Sequence, residues 1–328
     1  MKKMDIDKIG NLELVKGRRN SKVPYSTSIV VKGKNRERDA LVDIGTGKEG
    51  YAYIHEHHDI QDIFITHYHI DHIKGVPHFP EAAMWVNAVD EYKLNDLESL
   101  AKAMGIYALK GAGTVEQWVK NNKDTQPFQD VIAREKNLYP YETPMMIAGN
   151  NVQMLYTPGH CESYCCPYFP DDGVLVVGDY DLTSFGPWYN NADSDIDEFI
   201  ASGERTLDID ADYYVTFHHK GTFSRSEYEE ALRRYLAIIE KREQKIIRLL
   251  EEGTSIEDLI YREVFYLKRN LDMAPPLLDF EIMGIAKHLK RLANQNNYYE
   301  DPYRSFLDHH FAAPEYSDYY VRGVAEKE

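Results

Sequence analysis

The sequence predicts an α/β chain that ends in helices, and three observations carry this. Short apolar runs of strand type recur through the first two thirds of the chain and stop at tight turns. Histidines and aspartates follow several of those turns at once. From about residue 226 the pattern changes, and apolar residues step by three and four as on one face of a helix.

The elements follow in order. Ile29–Val31 and Ala40–Ile44 are two β-rich runs about a polar turn at Gly33-Lys34-Asn35, which predicts a hairpin. The second run leads into Asp43-Ile44-Gly45-Thr46-Gly47, where glycines allow a sharp loop. "DIFI", residues 62–65, has the character of a buried strand and delivers the chain into "THYHIDHIKG". Residues of about 88–140 have helical spacing and predict a mostly helical insertion. Within it Thr114 and Gln117 have capping-box spacing. Strand character returns at Val152–Tyr156, Val174–Val177 and Tyr213–Phe217. A long amphipathic helix from about 226 ends near Gly253, a residue suited to a C-cap. Thr254 and Glu257 predict that a helix restarts there, and "FEIMGIAKHLKRLANQN" predicts another. The tail from about 296 shows no period.

The length of 328 residues suits one large domain with an appendage, and 43% hydrophobic residues suffice for its core. The formal net charge of -16 repels phosphate backbones, so nonspecific nucleic-acid binding is disfavoured. No run of about 18 apolar residues predicts a membrane span, and the N-terminus lacks the apolar stretch of a secretory signal. Cys161, Cys165 and Cys166 are an odd number crowded into six residues, which is no disulfide framework. A reducing cytoplasmic location is the expectation, with a small molecule as the partner and self-association into a homo-oligomer left open.

The chemistry concentrates in residues 67–72. Alternate residues of extended chain point to one side, so His67 and His69 can converge on one ion. Asp71 and His72 can serve a second ion nearby. Imidazoles with a few carboxylates and no thiolate suit zinc, with iron or manganese as alternatives. More ligands are needed. His160 after "YTPG", Asp179 after "VLVVG", and His218 or His219 after "DYYVTF" all repeat the layout of apolar run, turn and ligand-type side chain.

His67-x-His69-x-Asp71-His72 followed by His160, Asp179 and His218 resembles the ligand set of the metallo-β-lactamase superfamily. Asp43-Ile44-Gly45-Thr46-Gly47 resembles that family's early DxGxG turn, and the likeness spans roughly residues 10–222. The resemblance implies an αββα sandwich with two divalent metal ions at one edge. It implies that His67, His69 and His160 hold the first ion, that Asp71, His72 and His218 hold the second, and that Asp179 bridges them. The family's usual "PGHG" is here "TFHHKG". Asp212 lies six residues before His218, as in the family layout, which favours His218 over His219. His160 is followed by Cys161-Glu162-Ser163 where small hydroxyl residues are commoner. The three cysteines read as small packing residues.

His69 stands where the flavodiiron branch of the fold carries a glutamate, so the resemblance implies hydrolysis. A water shared by two cations deprotonates near neutral pH, and Asp71 is the residue expected to orient the resulting nucleophile. Tyr180, Trp188 and Tyr189 are candidates for pocket walls or for ordinary packing. "KREQKIIRLLEEGTSIEDLIYREVF" and "GIAKHLKRL" resemble the C-terminal region of a subgroup that includes enzymes like hydroxyacylglutathione hydrolase. His288, in that region, reads as a helix-surface or packing residue. The implied division is a catalytic domain over 1–222 and a helical C-terminal module over 223–328. The implied function is a metal-dependent hydrolase of a small ester or thioester. The alternatives are a nuclease or phosphodiesterase on the same metal pair, a sulfur dioxygenase with one iron, and a noncatalytic metal-binding protein.

Overall fold

The computed structural model describes residues 5–318. Two sheets face each other. The first holds seven strands in sequence order: β1 (Ile6–Ile9), β2 (Leu12–Val15), β3 (Ser28–Val31), β4 (Asp39–Val42), β5 (Ile60–Phe64), β6 (Ala83–Val86) and β7 (Lys136–Leu138). The second holds β8 (Pro144–Ile147), β9 (Asn150–Tyr156), β10 (Cys165–Phe169), β11 (Val174–Gly178), β12 (Tyr213–Thr216) and β13 (Thr222–Ser224), again in sequence order.

The apolar runs are nearly continuous because both faces of each sheet are covered. The twofold period of the strands then sorts neighbouring residues into different cores. Ile29, Val31, Val42 and Phe64 point inward and meet Val152, Met154, Val174, Val176 and Val215 of the facing sheet. Val30, Leu41 and Ile63 point outward and share a core with Tyr51 and Ile54 of the helix Lys48–His57. Leu175, Val177 and Tyr214 point outward on the second sheet and share a core with Tyr228, Leu232 and Tyr235 of the helix Arg225–Glu251. Tyr214 and Tyr228 stack with their rings 4.2 Å apart. The result is the four-layered αββα arrangement that the resemblance implies.

The predicted hairpin forms as β3 and β4, with Ile29 opposite Val42. Strand β4 pairs in parallel with β5, and β11 in parallel with β12. Parallel neighbours end at the same edge of a sheet, so the loops after β4, β5, β11 and β12 gather at one rim.

The insertion is helical over Ala88–Asn95, Leu97–Ala103, Ile106–Lys110, Ala112–Asn122 and Phe128–Ala133. The expected capping box at Thr114 does not form. The helix starts earlier, after Gly111, and the Thr114 hydroxyl donates instead to the Lys110 carbonyl. A capping box does form at the long helix, where Ser224 and Glu227 close it and the helix begins at Arg225, against an expected start at about 226. That helix ends near Gly253 at φ +79°, as expected. The helix expected to restart at Thr254 is only a turn followed by the short 3₁₀ segment Leu259–Tyr261. The segment without a period contains a helix, Glu300–His310, whose buried face is little more than Phe306. Among the described residues no helix is long and apolar enough to cross a membrane.

Candidate metal centre

The rim where the parallel strands end carries all the predicted ligand-type side chains. His67 and His69 leave β5 in extended chain, and His69 caps the single turn Ile70–Ile73 that carries Asp71 and His72. Strand β11 slips register at Gly178, which holds φ +54°. A Cβ there would lie 2.1 Å from the Tyr164 hydroxyl, so only glycine lets the chain turn and aim Asp179 at the rim. Gly45 plays a similar part, because a Cβ on it would meet the Asp71 carbonyl at 1.8 Å.

His67, His69, His160 and Asp179 form one group of convergent donor atoms. Nε2 of His160 lies 2.9 Å from Oδ2 of Asp179 and 3.0 Å from Nδ1 of His69, and Nε2 of His67 lies 3.6 Å from the same Oδ2. Asp71, His72 and His218 form a second group. Nε2 of His218 lies 3.5 Å from Oδ2 of Asp71, and Nε2 of His72 lies 3.9 Å from Oδ1 of Asp71. Asp179 faces both groups. Its Oδ1 is 3.4 Å from His72 and 3.6 Å from His218, while its Oδ2 serves the first group.

The neighbours of the rings fix which nitrogen is left to bind. The Nδ1 of His160 meets the Trp188 carbonyl at 2.9 Å, and that of His218 meets the Ser21 carbonyl at 2.7 Å. A carbonyl only accepts, so each Nδ1 carries the proton and each Nε2 turns a lone pair to the cluster. Asp43 does the same for two more rings. Its carboxylate lies 2.8 Å from Nδ1 of His72 and accepts from the Thr66 hydroxyl, which lies 3.0 Å from Nδ1 of His67. Asn191 lies behind His69, its Nδ2 2.8 Å from Nε2 of the ring; an amide N–H donates there, so this contact, unlike the other four, leaves the ring proton on Nδ1, which faces His160.

Electrostatics matches this arrangement. Burial, joined by the neighbouring imidazoles, holds His67 and His69 well below the ordinary histidine pKa. Burial also opposes protonation of His72, yet Asp179, Asp43 and Asp71 outweigh it and raise that ring well above the usual value. For Asp179 burial favours the acid, but the fields of His72, His160 and His218 together keep it a carboxylate. Nε2 of His67, Nε2 of His72 and Oδ1 of Asp179 are buried with no hydrogen-bond partner. Such atoms are costly to leave unpaired. Three imidazoles and a carboxylate in one group, with two imidazoles and a carboxylate beside it, fit divalent cations.

All seven predicted residues thus meet at one place. Of the two adjacent candidates, His218 is 2% exposed and faces the cluster. The ring of His219 stands 6.4 Å away, and its carbonyl accepts from Asn20. Trp188 lies against the site, its ring centre 5.6 Å from that of His69 and 5.5 Å from that of His160. Tyr180 and Tyr189 are buried core residues. The three cysteines are buried and free, and burial pushes the Cys166 thiol up to about 12, which suits packing. Glu162 belongs to neither group of donors, and its carboxylate lies 3.5 Å from the buried ammonium of Lys93. His288 is a packing residue within the fold, bonded to the Tyr189 hydroxyl at 2.9 Å.

Sequence reasoning missed the residues that hold the ligands. Asp43 was visible as part of a glycine turn, but its role was not. Ser21 and Trp188 act through backbone carbonyls, which leave no trace in side-chain identity. Arg242, on the long helix, donates to the carbonyls of Pro187 and Phe185, both at 2.6 Å, and so pins the loop that presents the Trp188 carbonyl to His160.

Residues 21–219 match the family model described as the metallo-beta-lactamase superfamily. The fold is shared with a beta-lactamase domain protein from Burkholderia ambifaria, at a TM-score of 0.63 and 15% identity, over 89% of this chain and 90% of that one. It is also shared with a metallo-beta-lactamase family protein from Thermus thermophilus, at a TM-score of 0.58 and 18% identity, over 87% of this chain and 94% of that one. Those shares exceed what residues 1–222 alone supply, so part of the helical end belongs to the common fold. With the sequence match over most of the sandwich and the His/Asp groups gathered at its rim, this chain belongs to the metallo-beta-lactamase superfamily.

Proposed function

We propose that the chain is a metal-dependent hydrolase of a small ester or thioester, similar in type to hydroxyacylglutathione hydrolase. One observation carries the reading: Asp179 turns one carboxylate oxygen to each of two groups of donors. His67, His69 and His160 would hold a first divalent ion, and Asp71, His72 and His218 a second, with Asp179 shared. Zinc is the ion best suited to these donors, with iron or manganese as alternatives. Divalent cations there would supply charge that activates water near neutral pH and polarises a carbonyl oxygen.

The chain's own residues do the rest. Asp71 sits 3.5 Å from His218 and 3.9 Å from His72, so its carboxylate can accept a hydrogen bond from the attacking water and hold its proton. Asp43, Thr66 and the Trp188 and Ser21 carbonyls keep four imidazoles in one tautomer each. Trp188 walls the His69 and His160 side against solvent. The same reading divides the chain near residue 222 into a catalytic part and a helical part that braces its loop.

Metal analysis with a panel of thioester, lactone, phosphodiester and RNA substrates tests this. Thioester or ester turnover by protein holding two zinc ions is the expected result. One iron per chain, or cleavage confined to phosphodiesters, would contradict it.

A further inference from the structure

The chain carries 54 acidic and 38 basic residues, yet residues 16–22, "KGRRNSK", hold four cations and no acid. The fold brings this segment to the His218 side of the centre. The carbonyls of Ser21 and Tyr25 lie 2.7 and 3.0 Å from Nδ1 of His218. The segment is also held in an unfavourable backbone form. Arg19, Asn20 and Ser21 have φ of +55°, +59° and +54°, three consecutive left-handed residues without a glycine. The Asn20 amide ties the turn to the His219 carbonyl, and Ser21 closes it on Gly17.

Further cations meet there. Lys74, half-buried two residues after His72, places its ammonium 3.9 Å from the ring centre of Tyr25. The Arg18 guanidinium lies 5.8 Å from the same ring. Lys22 follows Ser21, whose carbonyl meets His218, and Lys220 lies two residues after His218. Among the described residues no carboxylate forms an ion pair with Lys74, Arg19, Lys22 or Lys220, and Arg18 reaches only Glu49, at 3.6 Å; Lys16 is paired with Asp7 at 2.9 Å and Asp5 at 3.3 Å, so three of the segment's four cations are left to the rim. The opposite side of the centre is apolar, with Trp188 edge-on to Phe280 at 5.3 Å.

Like charges gathered at the mouth of a site on an acidic chain focus the field on whatever enters. We infer that the substrate carries an anionic group, which seats on the His218 side between Lys74, Arg18 and Lys22 while its apolar part faces Trp188. This inference rests on the hydrolase reading and names the substrate class for it.

The test uses matched thioester pairs in which one member has a carboxylate where the other has a carboxamide. The charge is on the acyl side in one pair and on the thiol side in the other. With metal-loaded protein at low ionic strength, the anionic member of at least one pair should be preferred tenfold or more in kcat/KM, and salt should erode that ratio. K74Q and R18Q should each cut the ratio threefold or more, while K120Q, an exposed change on the insertion, should leave it alone. A ratio near one in the unmodified protein, or one that K74Q and R18Q do not move, overturns the inference while leaving the hydrolase reading intact. If no pair is cleaved, the thioester reading fails and binding decides the rim separately. Calorimetry with 3-phenylpropionate should then give at least fivefold weaker binding to the K74Q/R18Q double variant, with melting temperatures confirming that it folds. Equal binding to both proteins overturns the rim.

Discussion

Oδ1 of Asp179 lies 3.4 Å from Nε2 of His72, and both atoms are buried without a hydrogen-bond partner. Two acceptor lone pairs would repel at that distance, and in their place a proton or a cation must sit between them. The other oxygen of the same carboxylate faces His160 and His67. One side chain therefore links both groups of donors.

Asp179→Ala should accordingly abolish tight binding of both ions. Mass-spectrometric metal analysis after exhaustive dialysis should find less than a tenth of the metal held by the unmodified protein. Two retained ions in that variant would refute the bridging role.

Asp71→Ala should separate binding from chemistry. The first group contains no atom of Asp71, so one ion should remain while turnover falls by about 10²-fold or more, the scale of a lost acid–base group. Near-normal rates would show that Asp71 does not orient the attacking water.

Asp43→Asn probes the supporting layer. Asp43 accepts from His72 and Thr66 without touching the donor atoms that face the cluster. Outer partners of this kind contribute about 10–100-fold to metal affinity. The variant should therefore fold and bind metal, but more weakly by that factor in competition with a chelator.

Arg242→Leu asks whether the helical end braces the site. Arg242 is 4% exposed, and its guanidinium donates to the carbonyls of Pro187 and Phe185. Removing it leaves the buried Pro187 carbonyl unpaired, at about 1–3 kcal/mol, and frees the partly buried Phe185 carbonyl. Chemical denaturation should show lower stability. Metal affinity should fall as well, because the loop that fixes His160 through the Trp188 carbonyl loses its anchor.

A pH effect is expected away from the ligands. Lys93 is buried with Asp193 at 2.9 Å and Asp90 at 3.6 Å. Burial, with Asp193 adding to it and Lys93 opposing it, raises Asp90 from 3.8 to about 6. The folded chain then binds a proton that the unfolded chain has lost, so stability falls as pH rises from about 4 through about 6. Asp90→Asn removes that loss. Its melting temperature should exceed that of the unmodified protein by roughly 2–6 °C at pH 7.5 and match it near pH 4. An equal difference at both pH values would exclude this origin.

The parts of the site that could be read in advance are those where chemistry is local in sequence. His67, His69, Asp71 and His72 lie in six residues, and the strand before them is marked by its apolar run. His160, Asp179 and His218 were legible because each follows a strand and a turn. The supporting contacts were not, since they depend on which loops the two sheets bring together. Ser21 and His218 are 197 residues apart, and their contact uses a backbone oxygen. Strand β10, "CCPYF", carries a proline and no β-branched residue, so its sequence gives no strand signal. The capping signal at Thr114 failed because its helix had already begun after Gly111.

Counting metal in the unmodified protein and in His218→Ala bears most directly on the paired-cation centre. Two divalent ions per chain should fall to one, because His218 belongs only to the second group. A single ion in both proteins would contradict the paired centre, and so would two ions retained after the substitution.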